Sequence, residues 1–151
     1  KKYDLNYTIL RYGSLYGPNS QEWNSVKKSI TKMIKDKKII VNGTGSERRE
    51  FIHVKDAARL SILALNDNYI NKAISITGTQ VLTQSDLMNI IKEIIDQDIE
   101  ITFDSSKSNG GHYQLTPYQY TPKHAIKIVS NEYIDIGQGI LEIIEEIHSG
   151  D

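Results

Sequence analysis

The residues best able to do chemistry lie together in Gly43-Thr44-Gly45-Ser46-Glu47-Arg48-Arg49-Glu50-Phe51-Ile52-His53-Val54-Lys55-Asp56-Ala57-Ala58. A glycine-rich turn leads into two adjacent arginines, a short β-branched and aromatic run, and the start of an apolar helix. Fixed positive charge is thereby set beside a strand edge, which is anion-binding architecture. Gly43 and Gly45 invite comparison with a dinucleotide fingerprint, but the third glycine is missing and arginines stand where a helix should begin. The stretch does not read as a cofactor loop.

Composition narrows what such a site serves. With 151 residues, 38% hydrophobic and 25% charged, the chain has the size and balance of one globular domain with a real core. A formal net charge of -1 gives no global field for holding a polyanion, so nucleic acid is not an expected partner and phosphate recognition must be local. The absence of cysteine excludes disulfides, thiolate metal sites and cysteine nucleophiles, and fits a cytoplasmic location. No apolar run approaches the roughly 20 residues that span a bilayer, so no membrane partner is expected. The start at Lys1-Lys2, without a methionine, reads as part of a longer chain.

The elements that must position the arginines alternate between strand and helix. Tyr7 to Arg11 reads as a strand buried on both faces, running into a loop from Tyr12 to Ser20 at its carboxyl end, where ligands collect in α/β folds. From Asn24, a candidate N-cap, Val26, Ile30, Met33 and Ile34 share a helical face, with Lys27, Lys28, Lys32 and Lys35 on the solvated side. Ile39-Ile40-Val41 is a short strand ending at the Asn42-Gly43 turn, with Phe51-Ile52-His53 expected as its neighbour and a helix from Val54 to Leu65. Ala73 to Gly78 forms a second buried strand. Thr83-Gln84-Ser85-Asp86 is a capping-box variant ahead of a helix carrying Leu87, Ile90, Ile91, Ile94 and Ile95. Ile99 to Phe103 alternates as a one-sided strand, Ser105 to Gly111 is a loop, and Ile140 to Ile147 mark a last helix after Gly137 and Gly139. Only Thr8–Leu10 and Ile74–Ile76 look like buried parallel strands. Two are too few for a covered sheet, so further strands are expected before Lys1.

Three stretches, in this order and spacing, resemble the extended short-chain dehydrogenase/reductase family of NAD-dependent nucleotide-sugar epimerases and dehydratases. They are Ile9-Leu10-Arg11-Tyr12-Gly13-Ser14-Leu15-Tyr16-Gly17-Pro18, Val41 to Ala58, and Ile74-Ser75-Ile76-Thr77-Gly78. They are similar to the family's LR-x-x-N-x-YGP, V-x-G-x-G-x-x-x-R-D-F-I-x-V-x-D-x-A and Y-N-I-G segments, all from its carboxyl-terminal half. The resemblance implies an α/β fold: late strands of a Rossmann-type parallel sheet plus a small mixed α/β substrate-binding part. It implies that a nucleoside-diphosphate sugar is the partner and that NAD or NADP is held mainly by an amino-terminal part, with no metal. Homodimers of this family mostly use helices of that other half.

Residue by residue, the resemblance puts Arg49 on the arginine that contacts the sugar-nucleotide diphosphate; the alternative is a surface arginine paired with Glu47 or Glu50. Gly13, Ser14 and Leu15 fall in the loop that passes the nicotinamide and the sugar, Gly13 and Leu15 on the cofactor side and Ser14 on the substrate side. Ser14 stands where the family often has asparagine, which shortens the reach. Asn24 and Ser25 open a nucleotide-facing helix, with simple capping by Asn24 as the other reading. Tyr113 either meets the ligand or packs its own loop. Glu50 and Asp56 read as structural, His53 as a core or interface histidine, and His112 and His124 lack metal-ligand spacing. The family's proton-transferring Tyr-x-x-x-Lys pair has no counterpart, because none of the nine tyrosines is followed by lysine four positions on. The chain alone is therefore expected not to turn over, its activity residing in the whole protein. A stand-alone diphosphate-binding module and a nucleotide-sugar reductase are the other readings.

Overall fold

The computed structural model describes residues 4–107 and 125–150. Their elements run β1 (Thr8–Tyr12), β2 (Ser14–Tyr16), α1 (Ser25–Asp36), β3 (Lys38–Asn42), β4 (Arg48–His53) and α2 (Val54–Leu63). There follow β5 (Lys72–Ile76), β6 (Val81–Thr83), α3 (Gln84–Ile95), β7 (Glu100–Asp104), β8 (Ala125–Lys127) and α4 (Ile136–Ser149).

Three small sheets result. One is parallel throughout, in the order β1-β5-β8, with Leu10 opposite Ile74 and Ile74 opposite Ile126. The second places β4 between β2, parallel to it, and β6, antiparallel. The third pairs β3 with β7 in parallel. The alternation of hydrophobic residues along β4 explains how the sheets share a scaffold. Phe51 joins a core made by Val26, Ile30 and Met33 of α1, Leu87, Met88 and Ile91 of α3, and Ile140 and Ile143 of α4. Its neighbour Ile52 points the other way, into a second core with Ala57 and Leu60 of α2 and Ile74 and Ile76 of β5. Each of the larger buried side chains contributes about 2 kcal/mol of transfer free energy before conformational entropy is set against it.

The helix ends follow the sequence closely. Asn24 caps α1, its Oδ1 accepting from the Val26 and Lys27 amides. Thr83 and Asp86 form the capping box of α3. α1 stops at Lys37, which adopts the left-handed conformation and returns its N–H to the Met33 carbonyl.

Five expectations are corrected. Residues 12–20 are not wholly loop, because Ser14–Tyr16 form β2 against Phe51–His53. The partner of β3 is β7, not the Phe51-Ile52-His53 strand, because the turn after Gly43 redirects the chain instead of closing a hairpin. The last helix begins at Ile136, so Gly137 and Gly139 lie inside it, capped by Asp135. Among the described residues β1 is covered on one face only: Ile9 is 48% exposed, while Leu10 packs on the second core. Finally, Lys27 is no solvated lysine; it lies 3.1 Å from Glu22 and 3.1 Å from Glu146, with its side chain 13% exposed. β6 and β8, three residues each, are too short for periodicity to reveal.

Two glycines let the sheets meet. A Cβ at Gly13 would sit 2.7 Å from the Glu50 carbonyl oxygen, and one at Gly78 would overlap the Phe51 carbonyl oxygen outright. The Gly78→Ala substitution is therefore expected to destabilise the chain by about 3 kcal/mol or more, since backbone cannot yield as a side-chain tip does. Urea unfolding measures it, with Gly150→Ala as the control, because the nearest atom to a Cβ there is at 3.5 Å. Equal midpoints for the two variants would contradict this account of the seam.

Candidate functional site

Register along β4 decides which of the expected site residues meet. Ser14 lies opposite Phe51, and Arg49 lies opposite Leu82 of β6. Strand alternation puts Arg49 and Phe51 on one face. With about 3.3 Å per residue along a strand and about 4.8 Å between strands, the Ser14 and Arg49 Cα atoms are about 8 Å apart. Gly13 links the first two sheets, its N–H donating to the Ile76 carbonyl at 2.9 Å. Leu15 is exposed, and its carbonyl accepts from Asn24 Nδ2 at 3.0 Å. Ser25, exposed, is the first residue of α1. Ser14, Leu15 and the partly exposed Arg49 thus lie in the β2–β4 pair, Gly13 directly precedes it, and Asn24, next to Ser25, is joined to it through the Leu15 carbonyl. Tyr113, with His112 and His124, lies outside the described residues.

Two local findings refine the electrostatics. The Asn24 side chain uses both its oxygen and its amide, so the Val26 and Lys27 amides at the start of α1 are already capped. The glycine turn also carries its own anion. Glu47 Oε1 accepts from the Thr44 amide at 2.8 Å and the Thr44 hydroxyl at 3.1 Å, while Oε2 accepts from the Gly45 amide at 2.9 Å. Burial acts to raise the Glu47 pKa, yet these donors outweigh it and hold the carboxyl below its ordinary range. Glu50, on the opposite face of β4, is buried and lies 3.5 Å from Lys127 Nζ, which also donates to the Gly78 carbonyl at 3.1 Å.

Beneath this region a cavity of about 180 Å³ is lined by Tyr16, His53, Asp56, Gln80, Tyr133 and Asp135, among others. Sequence reasoning missed Gln80, Tyr133 and Asp135. The fold brings Asp135 to the wall through the amide of Ile134, which donates to the buried Asp56 at 2.8 Å, and no spacing signals that bond. Asp56 also takes the Arg59 guanidinium at 2.7 Å, so it ties α2 to the segment before α4. Burial, helped by Asp56, Asp135 and Glu142, pushes the Tyr16 phenol far above its usual range. It stays neutral, the opposite of what an acid/base tyrosine needs. His53 is fully buried, caps α2 by accepting the Lys55 amide at Nδ1, and leaves Nε2 without a hydrogen-bond partner among the described residues, 3.5 Å from Glu142.

These residues do not make a dinucleotide cradle by themselves. The space that Gly13 and Gly78 leave is filled by β4 carbonyls, and the Gly43–Gly45 turn by Glu47, so none of these glycines opens room for a pyrophosphate. Among the described residues no three His, Asp or Glu side chains converge as metal ligands, and no helix is long and apolar enough to cross a membrane.

The profile of the NAD dependent epimerase/dehydratase family matches residues 1–76. The chain belongs to that family. A putative UDP-glucose 4-epimerase of Methanocaldococcus jannaschii is 28% identical over 145 residues, covering 94% of this chain and 46% of the relative. Among solved structures, the UDP-glucose 4-epimerase of Thermotoga maritima, crystallised with UDP-glucose, superposes with a TM-score of 0.78 at 21% identity, over 99% of this chain and 48% of that one. An NAD-dependent NDP-hexosamine 5,6-dehydratase of tunicamycin biosynthesis gives a TM-score of 0.75 at 20% identity, over 95% and 46%. At such identities the likeness establishes the fold: a mixed α/β chain whose parallel β1-β5-β8 sheet, with α2 packed on it, is of Rossmann type. The chain spans about half the length of the relatives it matches.

The His53 environment makes a measurable prediction. Burial lowers its pKa, and the opposing pull of Glu142 and Asp56 does not restore it. The unfolded chain therefore takes up this proton first, and the stability that neutral His53 supports is present above the ordinary value of 6.5 and is lost as pH falls below it. The carboxylates with depressed values, such as Glu142 and Glu146, act lower, below their ordinary value of 4.5. The urea midpoint should fall between pH 7.5 and 5.5, and fall less in His53→Asn, whose side chain still caps a helix. Equal falls in both proteins would refute the assignment to His53.

Proposed function

We propose that this chain forms the sugar-nucleotide side of an NAD-dependent epimerase or dehydratase, with Arg49 gripping the diphosphate. The register that sets Arg49 and Ser14 on adjacent strands is the observation that carries this reading. A guanidinium offers paired donors and a permanent charge, which suits a diphosphate, and the exposed Ser25 and Leu15 border the same pair of strands. Family membership and relatives named for UDP-sugars support a nucleoside-diphosphate sugar as the ligand.

In the whole protein, a nicotinamide cofactor, NAD or NADP, supplies the hydride chemistry and is held mainly by residues outside these 151, with Gly13 and Leu15 contributing one edge. Tyr113 is a further candidate contact to the sugar. The residues in hand bind and orient the substrate, and the proton-transferring tyrosine is not among them. The chain alone is accordingly a binder without turnover, and the dimer contacts of the whole protein lie elsewhere.

Titration of UDP-glucose into the chain by calorimetry, with inorganic diphosphate as competitor, tests this reading. Arg49→Ala should weaken binding about 10- to 100-fold, the range for losing a hydrogen bond to a charged group, with an unchanged circular dichroism spectrum. Wild-type affinity in a folded Arg49→Ala variant would return Arg49 to an ordinary surface residue.

A further inference from the structure

The turn between β3 and β4 has the form of an anion nest, yet its anion is part of the chain. Gly43 and Gly45 take positive φ values of 115° and 83°, aiming successive amides into one concavity. Into it reaches the Glu47 carboxylate, which accepts the Thr44 and Gly45 amides and the Thr44 hydroxyl. A Cβ at Gly43 would lie 2.6 Å from Glu47 Oε1, so the fit depends on glycine there. The same turn is tied down from outside. The Gly43 amide donates to the Asp104 carbonyl at 3.0 Å, and the Gly45 and Glu47 carbonyls accept from the Ser85 and Gln84 amides at 2.9 and 2.8 Å. The backbone that leaves this anchored turn reaches Arg49 two residues later.

We propose that Glu47 is a positioning residue for diphosphate recognition: by filling the nest of its own turn it fixes the backbone from which Arg49 is presented. The nest is not the ligand site; it is occupied from within, and the ligand's phosphates go to Arg49. This rests on the role given to Arg49 above. A side chain that merely stabilised the turn would lower stability without acting through Arg49. A positioning residue loses its effect once Arg49 is gone.

A double-mutant cycle distinguishes these, using inorganic diphosphate and UDP-glucose as probes on the chain, with Glu47→Ala, Arg49→Ala and the combined variant. Glu47→Ala should weaken binding of both probes about tenfold, while the combined variant binds no more weakly than Arg49→Ala alone, as expected of coupled residues. Acetate at high concentration should restore part of the affinity of Glu47→Ala by placing a carboxylate in the emptied nest, and do nothing for Arg49→Ala. Glu47→Gln keeps the shape and one acceptor oxygen and carries the test if the alanine variant does not fold; its loss should be smaller and should likewise vanish without Arg49. Additive losses, or full affinity in a folded Glu47 variant while Arg49→Ala still binds weakly, would overturn the positioning role alone. Full affinity in Arg49→Ala would overturn the functional reading beneath it.

Discussion

The close approach of two glycines to the backbone of β4 is the constraint on which the rest of the structure depends. Gly13 at the end of β1 and Gly78 after β5 meet the carbonyls of Glu50 and Phe51, where any side chain would collide. Because those contacts are backbone to backbone, the parallel sheet and the mixed sheet meet along one seam. β4 then serves both sides by alternation alone. Phe51 is committed to the core under α1, α3 and α4, and Ile52 to the core under α2. A shift of one residue along β4 would exchange those two side chains between cores and turn Arg49 to the opposite face.

Helix α4 fastens the seam from outside through three positions spaced three and four residues apart. Gly139 lies so close to Tyr16 and His53 that a Cβ would sit 2.6 Å from the tyrosine ring. Glu142 pairs with Lys55 at 2.9 Å, and Glu146 takes the Asn19 amide at 2.6 Å and Lys27 at 3.1 Å. One face of one helix thereby holds the loop after β2, the start of α1 and the start of α2, the segments bordering the residues assigned to the ligand. The Asn19 hydrogen bond, with Lys27, outweighs burial and keeps the Glu146 carboxyl below its ordinary range. Exposed ion pairs are worth little singly, and the Glu146–Lys27 pair matters because Glu146 also accepts the Asn19 amide and Lys27 also donates to the Ser20 carbonyl.

In the proposed reading, positive charge for a diphosphate is supplied locally, on a chain whose formal net charge is -1. The amides that might have competed for an anion are already taken, those of the glycine turn by Glu47 and those opening α1 by Asn24. The proposed diphosphate contact accordingly falls on a side chain, the Arg49 guanidinium, and not on these backbone amides.

Much of this was legible in the residues. The capping signals at Asn24 and Thr83, the apolar periodicity of α1 and α3, the two parallel strands and the family likeness of Val41 to Ala58 all rest on local preferences, and local preferences act over a few residues. What the sequence left open, the tertiary structure decided. That β4 pairs with β2 and β6 instead of β3, that Lys27 is drawn out of solvent by Glu146, and that Asp56 captures the Ile134 amide all join residues far apart in the chain. So does the use of Gly13, which reads as a loop residue, and of Gly78, which reads as the end of a strand, until the β4 carbonyls stand against them. The sequence by itself determined the helices and the longer strands and where fixed charge resides, but not the three-residue strands β2, β6 and β8. Only the packed structure decided which strands meet and which donors are already satisfied, because both follow from close contacts between distant backbones that no local pattern encodes.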